Sequence, residues 1–204
     1  LAHAQNWKGC YFDLEQFNYK SACENRSDML NDGFIMPIKE AIQFFKMQHP
    51  QSMWFVRPSA DLKQFTGEVN NATNLYEWFE DAMLCASSGS YQLPETTDIV
   101  ISVPREIGSE YRFFIVGGKV ISGSMYRINE RLKYERITDP EFLEEAQSLA
   151  DIWLPHPCCT MDLAMVKEGI RVLEFNCINA SGFYNHDVKA IMTELYNYSC
   201  QQNN

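Results

Sequence analysis

This sequence of 204 residues lacks the features that mark several classes of protein. No apolar run approaches the roughly 20 residues that a membrane-spanning helix requires, and no basic and then apolar leader opens the chain. The seven cysteines include no C-x-x-C pair and have no regular spacing, which argues against a disulfide framework. We therefore expect a cytoplasmic protein that does not use a membrane.

Basic residues are also scarce, because 17 lysines and arginines stand against 27 aspartates and glutamates and leave a net charge of −10. A nucleic-acid partner is not expected, since binding to nucleic acid normally needs a basic surface. Seven of the basic residues nevertheless crowd one stretch: Arg105, Arg112, Lys119, Arg127, Arg131, Lys133 and Arg136. That stretch would suit a compact polyanion such as a nucleoside triphosphate.

The hydrophobic content of 46% and the aromatic content of 13% are sufficient for a buried core, in one domain or in two small lobes. We divide the chain into an N-terminal supporting segment, residues 1–50, a first lobe, residues 51–102, and a second lobe, residues 103–204. The boundary between the lobes falls in Asp98–Val103, a short apolar run that predicts a strand before the basic stretch.

The spacing of apolar residues predicts an α+β protein. Helical spacing marks four segments: Pro37–Met47, Asn74–Ser87, Asp139–Asp151 and His186–Tyr198. A short strand is predicted at Met53–Val56, and two hairpins follow it later in the chain. The first pairs Tyr111–Val116 with Lys119–Tyr126 about Gly117 and Gly118, and the second pairs Thr160–Val166 with Ile170–Asn176.

The second hairpin carries the strongest chemical signal. If Val166 and Ile170 flank a three-residue turn with Gly169 in the left-handed conformation, Asp162 faces Glu174 directly. Their β-carbons would then lie about 4.5 to 5.5 Å apart, where two like charges destabilise a sheet unless something positive lies between them. Asn176 projects from the same face and adds a neutral oxygen.

Two carboxylates and an amide on one face form a hard, oxygen-only site of the kind that Mg²⁺ prefers when phosphates complete its shell. The alternative is that Asp162 and Glu174 are ordinary exposed strand charges, although their neighbours on both strands are mostly apolar. A zinc site at His156, Cys158 and Cys159 is a weaker alternative, because no second matching pair of ligands exists.

The first hairpin supplies cations. With the turn at Gly117 and Gly118, Arg112 lies opposite Gly123, which would leave room for a phosphate above the strand. One face then carries four charged residues: Glu110, Arg112, Lys119 and Arg127. The alternative is a solvated sheet edge with basic side chains that extend into water.

The order of these motifs resembles the ATP-grasp proteins. The similarity covers about residues 50 to 195 and rests on five motifs: Arg57-Pro58-Ser59 with Lys63 and Gly67, Glu110–Val116, Asp162, Leu173–Asn176, and Ser181–Tyr184. It is closest to a divergent clade in which an arginine in the first strand replaces the usual lysine. That clade contains phage and bacterial proteins thought to modify peptides and a eukaryotic cell-division-cycle protein that assists assembly of a translation initiation factor.

The resemblance implies an ATP-grasp fold, with two α+β lobes whose antiparallel sheets clasp ATP and Mg²⁺. Adenine would lie against the strand that contains Ile101 and Val103. The residues implied to bind the rest of the nucleotide are Arg57, Lys63, Glu110 and Arg112, and the implied metal ligands are Asp162, Glu174 and Asn176. The implied catalytic residues are Arg112, at the transferred phosphoryl group, and Arg127, at the carboxylate substrate.

The implied activity is ligation of a carboxylate, which could belong to a peptide or an amino acid, to an amine or a related nucleophile. The γ-phosphoryl group of ATP would first convert the carboxylate to an acyl phosphate, and the nucleophile would then displace phosphate. Two alternatives stay open at this point. One is an ATP-binding assembly chaperone or adaptor without ligase turnover, and the other is a phosphotransferase that leaves a stable phosphorylated product.

Overall fold

The computed structural model describes residues 14–60, 64–87 and 93–202. As the sequence predicts, these residues combine α-helices with antiparallel sheets. The α-helices of the described residues are α1 (Tyr19–Asn25), α2 (Ile38–Lys46), α3 (Ala72–Ser87), α4 (Pro140–Ile152) and α5 (Val188–Gln202). The strands are β1 (Phe34–Pro37), β2 (Met53–Pro58), β3 (Glu68–Asn71), β4 (Asp98–Ser102), β5 (Ser109–Val116), β6 (Lys119–Ile128), β7 (Arg131–Ile137), β8 (Cys159–Val166) and β9 (Gly169–Asn176).

The chain divides into two compact units. One, called here the N-terminal unit, comprises Asn18–Lys20 and Asn31–Arg105. The other, the C-terminal unit, comprises Ser21–Leu30 and the described residues from Glu106 onward, together with those before Asn18. The first 50 residues therefore do not form a separate supporting segment in this division, because β1 and α2 belong to the same unit as β2. None of the helices in the described ranges is both long and apolar enough to cross a membrane.

The N-terminal unit is a four-stranded antiparallel sheet in the order β1-β4-β2-β3. Helices α2 and α3 pack on one face of it, because each carries apolar side chains at helical spacing. Phe45 of α2 stacks on Phe79 of α3 with ring centroids 6.3 Å apart. Val56 and Ile101 extend from β2 and β4 into this core and are fully buried.

The C-terminal unit is a five-stranded antiparallel sheet in the order β7-β6-β5-β8-β9. Successive side chains of a strand point to opposite faces, so β5 contacts a different helix on each side. Phe113 packs edge-on against Phe142 of α4 on one face. Phe114 belongs to the core cluster on the other face, together with Ile191 of α5. Helix α4 begins as predicted, because Asp139 caps it by accepting a hydrogen bond from the backbone nitrogen of Glu141.

The first hairpin turns at Gly117 and Gly118, both of which have positive φ, as predicted. The predicted pairing of Arg112 with Gly123 is wrong, because β-bulges shift the register and Arg112 pairs with Ser124. Gly123 pairs with Phe113, and a β-carbon at Gly123 would come within 2.6 Å of the Phe113 ring. The glycine therefore makes room for an aromatic core residue and not for a ligand beside Arg112.

The second hairpin has a different turn from the predicted one, yet it retains the predicted pairing at the chemical residues. It turns tightly, with Val166 paired to Gly169, and this turn alone would slip the register by one residue. A β-bulge between Asp162 and Leu163 restores the register, so Asp162 pairs with Glu174. The bulge thus supplies the extra residue that the shorter turn omits.

Several short elements escape prediction from the sequence, namely α1, β1, β3 and β7. Strand β7 has nearly every side chain exposed and alternates charged residues with Leu132 and Tyr134, so it carries no pattern of one buried face. Its pairing with β6 across a tight turn at Asn129 and Glu130 determines its conformation. Tertiary pairing, and not the pattern of β7 itself, makes this segment a strand.

Arg26 is a buried charge that connects three parts of the C-terminal unit. Its Nη1 donates to the carbonyls of Leu149 and Trp153, at 2.7 and 2.8 Å, where α4 ends. Its Nε and Nη2 donate to the two carboxylate oxygens of Asp28, at 2.8 and 2.6 Å. Its guanidinium carbon also lies 5.6 Å from the centroid of the Phe175 ring on β9. Because α4 has no basic residue in its last turn, Arg26 satisfies that end of the helix.

We predict that Arg26→Ala lowers the free energy of unfolding by about 3 kcal/mol, because it leaves Asp28 and two helix carbonyls without their donor. Urea unfolding followed by circular dichroism measures this loss. The matched control is Lys133→Ala, which removes an exposed ion pair with Glu135 from the same unit. The control should change stability by less than about 1 kcal/mol. Equal losses in the two variants would contradict the prediction.

Candidate functional site

Strands β8 and β9 bring two carboxylates and one amide together on one face of the C-terminal sheet. Asp162 and Glu174 form a cross-strand pair, and Asn176 lies two residues beyond Glu174 on the same face. Asp162 is completely buried, Asn176 is buried and Glu174 is half-buried. The Nδ2 atom of Asn176 donates to Oε1 of Glu174 at 3.0 Å, which leaves the amide oxygen as the candidate ligand. The structure therefore assembles the three predicted oxygen donors.

The positive group beside Asp162 is Arg112, from the neighbouring strand β5. Its Nε donates to Oδ1 of Asp162 at 2.8 Å and its Nη2 donates to Oδ2 at 2.7 Å, which is a two-pronged ion pair. Both side chains are buried. This ion pair explains how the sheet tolerates Asp162 opposite Glu174, and it also means that Arg112 is engaged with a carboxylate and not free above the strand.

A second polar chain joins this pair to the exposed end of the face. The hydroxyl of Tyr126 donates to Oε2 of Glu110 at 2.7 Å and lies 3.4 Å from Oδ2 of Asp162. Nη1 of Arg127 donates to the other oxygen of Glu110 at 3.1 Å. Glu110 is buried, whereas the Arg127 side chain is 46% exposed. Glu110, Arg112 and Arg127 thus belong to one connected network with Asp162, as the predicted shared face implies.

Burial controls the ionisation of this network. It raises the pKa of Asp162 to about 6, with Glu174 and Glu110 acting in the same direction and the Arg112 guanidinium opposing them. The carboxylate is therefore still the main form at neutral pH. Burial alone would lower the pKa of Arg112, but the hydrogen bonds and charge of Asp162 more than offset that effect and keep it protonated. Burial and the adjacent carboxylates raise the pKa of Tyr126, so its hydroxyl stays a donor.

The donor set fits a hard cation that takes part of its shell from a phosphate. Each carboxylate oxygen offers two lone pairs, so the Arg112 fork leaves acceptor capacity on Asp162. Among the described residues, no group of three or more His, Cys, Asp and Glu side chains is arranged to hold a metal ion. Two carboxylates and an amide are thus too few to saturate a cation, which is the situation in which Mg²⁺ keeps water and substrate oxygens. The zinc alternative at His156 and its neighbouring cysteines gains no support.

The remaining predicted contacts of the nucleotide lie in the N-terminal unit. Arg57 is at the end of β2, with its guanidinium carbon 4.7 Å from the centroid of the Tyr19 ring. Val103 follows β4 and is exposed, whereas the Ile101 side chain is fully buried in the core with α2 and α3. That burial makes the Ile101 side chain unavailable to adenine. Lys63 lies outside the described residues, and nucleotide contacts of Arg57, Lys63 and Val103 stay predictions.

A loop after β9 crosses the same face and contributes residues that sequence reasoning missed. Ser181 exchanges a 2.8 Å hydrogen bond with Thr160 of β8, and Phe183 stacks on Phe114 of β5 at 5.0 Å. Tyr184 stacks on Tyr126 at 4.9 Å. The role of Tyr126 could not be read from the sequence, because a β-bulge next to it breaks the simple alternation of side chains.

We predict that Asp162→Asn lowers the stability of the ligand-free protein by about 3 kcal/mol, because it leaves the buried Arg112 without a counter-ion. Thermal or urea unfolding without metal measures the effect. The control is Glu174→Gln, which removes the charge opposite Asp162 and should leave stability unchanged or slightly higher. A neutral effect of Asp162→Asn would mean that the ion pair contributes nothing to the fold.

Comparisons with known proteins agree with this arrangement. A model of an ATP-grasp domain, family 3 of the clade named for its arginine-for-lysine replacement, matches residues 19–195. This match extends the predicted similarity toward the N-terminus. No curated protein matches the sequence at a significant level.

Several solved structures share the fold at low sequence identity. The ATP-grasp ligase PsnB, complexed with a minimal precursor, has a TM-score of 0.56 and 15% identity, over 93% of this chain and 61% of PsnB. The D-cycloserine synthetase DcsG has a TM-score of 0.56 and 9% identity, over 91% of this chain and 68% of DcsG. The D-alanine–D-alanine ligase from Bacillus anthracis has a TM-score of 0.60 and 14% identity, over 91% of this chain and 67% of the ligase.

The chain spans only 61% of the length of PsnB, so these likenesses concern the fold and not the whole activity of the longer proteins. The two antiparallel sheets and the face that carries Asp162 and Glu174 are the features to which the family assignment applies. Since the family model covers well over half of the sequence, the protein belongs to the ATP-grasp domain family, in family 3 of the arginine-for-lysine clade.

Proposed function

We propose that this protein is an ATP-dependent ligase that joins a carboxylate to an amine or a related nucleophile through an acyl phosphate. The observation that carries the proposal is the paired placement of Asp162 and Glu174, with Asn176 beside them and Arg112 gripping Asp162. A carboxylate pair at matched positions of an otherwise apolar hairpin has an electrostatic cost unless a cation occupies the face.

Phosphoryl transfer demands neutralisation of charge and alignment of the reacting oxygens more than it demands a protein nucleophile. Mg²⁺ and ATP, when bound, supply the cation and the electrophilic γ-phosphoryl group. In our proposal Asp162, Glu174 and Asn176 hold the metal through oxygen atoms. Arg112 takes a different role from the expected one at the phosphoryl group, because both prongs of its guanidinium are on Asp162, which it keeps charged and oriented.

Arg127 is the cation that we propose for the carboxylate substrate. It makes one hydrogen bond to Glu110 and its side chain is half exposed, so it can approach an anion without leaving a buried charge unpaired. Glu110 would orient Arg127 on one side and Tyr126 on the other. The arrangement favours positioning of an anionic substrate near the metal-binding face, where the carboxylate and phosphoryl group can meet.

The relatives suggest which carboxylates to test. PsnB is described as a ligase complexed with a minimal precursor, Mg and ADP, and another similar protein is a D-alanine–D-alanine ligase. We therefore propose that a peptide or an amino acid provides the carboxylate and that ATP and Mg²⁺ are the cofactors. An assembly chaperone or adaptor that binds ATP without turnover is the alternative outcome of the experiments below.

We predict that Mg²⁺ together with ADP or ATP raises the melting temperature, while either component alone does less, because metal and phosphates complete each other's coordination. At a ligand concentration of about 100 times the dissociation constant, the stabilisation should be about 2.7 kcal/mol. Differential scanning fluorimetry measures the shift, and Glu174→Gln should reduce it. Absence of any shift at millimolar Mg²⁺ and nucleotide would refute the proposed cofactors.

We predict that ADP release depends on an added carboxylate and that hydroxylamine traps the activated acyl group as a hydroxamate. The assay screens amino acids and peptides with wild type and with Glu174→Gln, which should lose turnover while it stays folded. Nucleotide-dependent stabilisation without carboxylate-dependent ADP release would favour the chaperone or adaptor. A stable phosphorylated product that hydroxylamine does not convert would favour a phosphotransferase.

A further inference from the structure

The backbone of Tyr184 has an uncommon conformation, with φ of 40°. Among the described residues, the other non-glycine residues with positive φ are Asn129 and Glu130, which form the tight turn between β6 and β7. Tyr184 lies in no hairpin turn, so turn geometry does not account for its conformation. A bulky residue is held in this region only when the surrounding structure determines it, and such positions concentrate at functional sites.

The neighbours of Tyr184 hold its backbone from both sides. On one side, Phe183 stacks on Phe114 with the rings nearly parallel. On the other, the backbone nitrogen of Asn185 donates to Oγ of Ser124 at 3.4 Å, and Nη2 of Arg136 donates to the carbonyl of His186 at 3.1 Å. The loop is thus attached to strands β5, β6 and β7, and Tyr184 lies between these attachments.

This strained backbone delivers the Tyr184 ring to Arg112. The ring stacks between Tyr126 and Tyr134, with centroid distances of 4.9 and 5.3 Å and interplanar angles of 19° and 21°. The guanidinium carbon of Arg112 lies 5.2 Å from the centroid of Tyr184 and 5.7 Å from that of Tyr126. Two aromatic rings therefore contact the same guanidinium whose Nε and Nη2 grip Asp162.

We propose that Tyr184 is a positioning residue that holds Arg112 on Asp162, and thereby keeps the Asp162 carboxylate oriented for a cation. An arginine side chain has several rotatable bonds, and contact with aromatic rings restricts them while it stabilises the charge. With the fork of Arg112 held in one place, the remaining lone pairs of Asp162 point in one direction. The metal part of this inference rests on the proposed function, whereas the contact between Tyr184 and Arg112 does not.

The variants separate the ring from its hydroxyl and from the stack. Tyr184→Phe keeps the ring and removes the hydroxyl, and Tyr184→Leu removes the ring. Tyr184→Gly removes the ring and also accepts the positive φ without strain, so it serves if the leucine variant does not fold. Tyr134→Leu is the matched control, because it removes the exposed end of the same stack and leaves the ring that contacts Arg112.

The first measurement needs no metal or nucleotide. In nitrogen-15 spectra of arginine side chains, the Nε–H signal of Arg112 is the one that disappears in Arg112→Lys, and its exchange with water reports how firmly the fork is held. Loss of a desolvated contact between a cation and an aromatic ring should speed this exchange by about tenfold in Tyr184→Leu or Tyr184→Gly. Tyr184→Phe and Tyr134→Leu should stay close to wild type.

The second measurement is the Mg²⁺ concentration that gives half of the ADP-dependent thermal stabilisation. It should rise by about tenfold in Tyr184→Leu, while ADP affinity at saturating Mg²⁺ changes little. Tyr184→Phe should restore the wild-type value. Unchanged exchange and unchanged Mg²⁺ dependence in Tyr184→Leu would overturn the inference, and so would a phenylalanine variant as impaired as the leucine variant.

The two measurements also distinguish this inference from the proposed function. If wild type shows no stabilisation by Mg²⁺ and ADP, the proposed cofactors fail, while the exchange measurement still decides whether Tyr184 holds Arg112. If wild type is stabilised and Tyr184→Leu behaves identically in both measurements, the cofactors stand and only the positioning role of Tyr184 fails.

Discussion

The buried ion pair between Arg112 and Asp162 is the interaction on which the rest of the site depends. Burial of two charges is unfavourable unless they are paired with good geometry and their remaining donors and acceptors are satisfied. The pair meets this condition with two short hydrogen bonds, a nearby Tyr126 hydroxyl and two aromatic rings. Glu174 could not lie opposite Asp162 at low cost without this compensating charge.

Strand register determines which residues reach this pair. Antiparallel pairing of β5 with β8 puts Arg112 opposite Asp162, and pairing of β8 with β9 puts Asp162 opposite Glu174. β-Bulges in both hairpins adjust the register near these residues, so polar side chains gather on one face while α4 covers the other. A one-residue slip would move the carboxylates to the apolar face, which gives a physical reason for the bulges.

The fold and the chemistry are established to different depths. Membership of the ATP-grasp family follows from the match over residues 19–195, and the oxygen-rich face agrees with a site for a hard cation. The substrate belongs to the proposal, because fold alone does not specify function and the similar ligases are longer than this chain. The loop with Tyr184 is one feature by which this chain could be distinguished from its relatives, since its ring contacts depend on particular side chains.

The sequence alone determined the α+β class, the main helices, both hairpins, the family resemblance and the pairing of Asp162 with Glu174. These follow from local periodicity, turn residues and motif order, which a linear sequence carries. Only the tertiary structure decided that Arg112 pairs with Asp162 and Ser124, that β7 is a strand, and that Tyr126 and Tyr184 enclose the arginine. Bulges and contacts between distant segments control those features, and their energies arise only when the chain has folded.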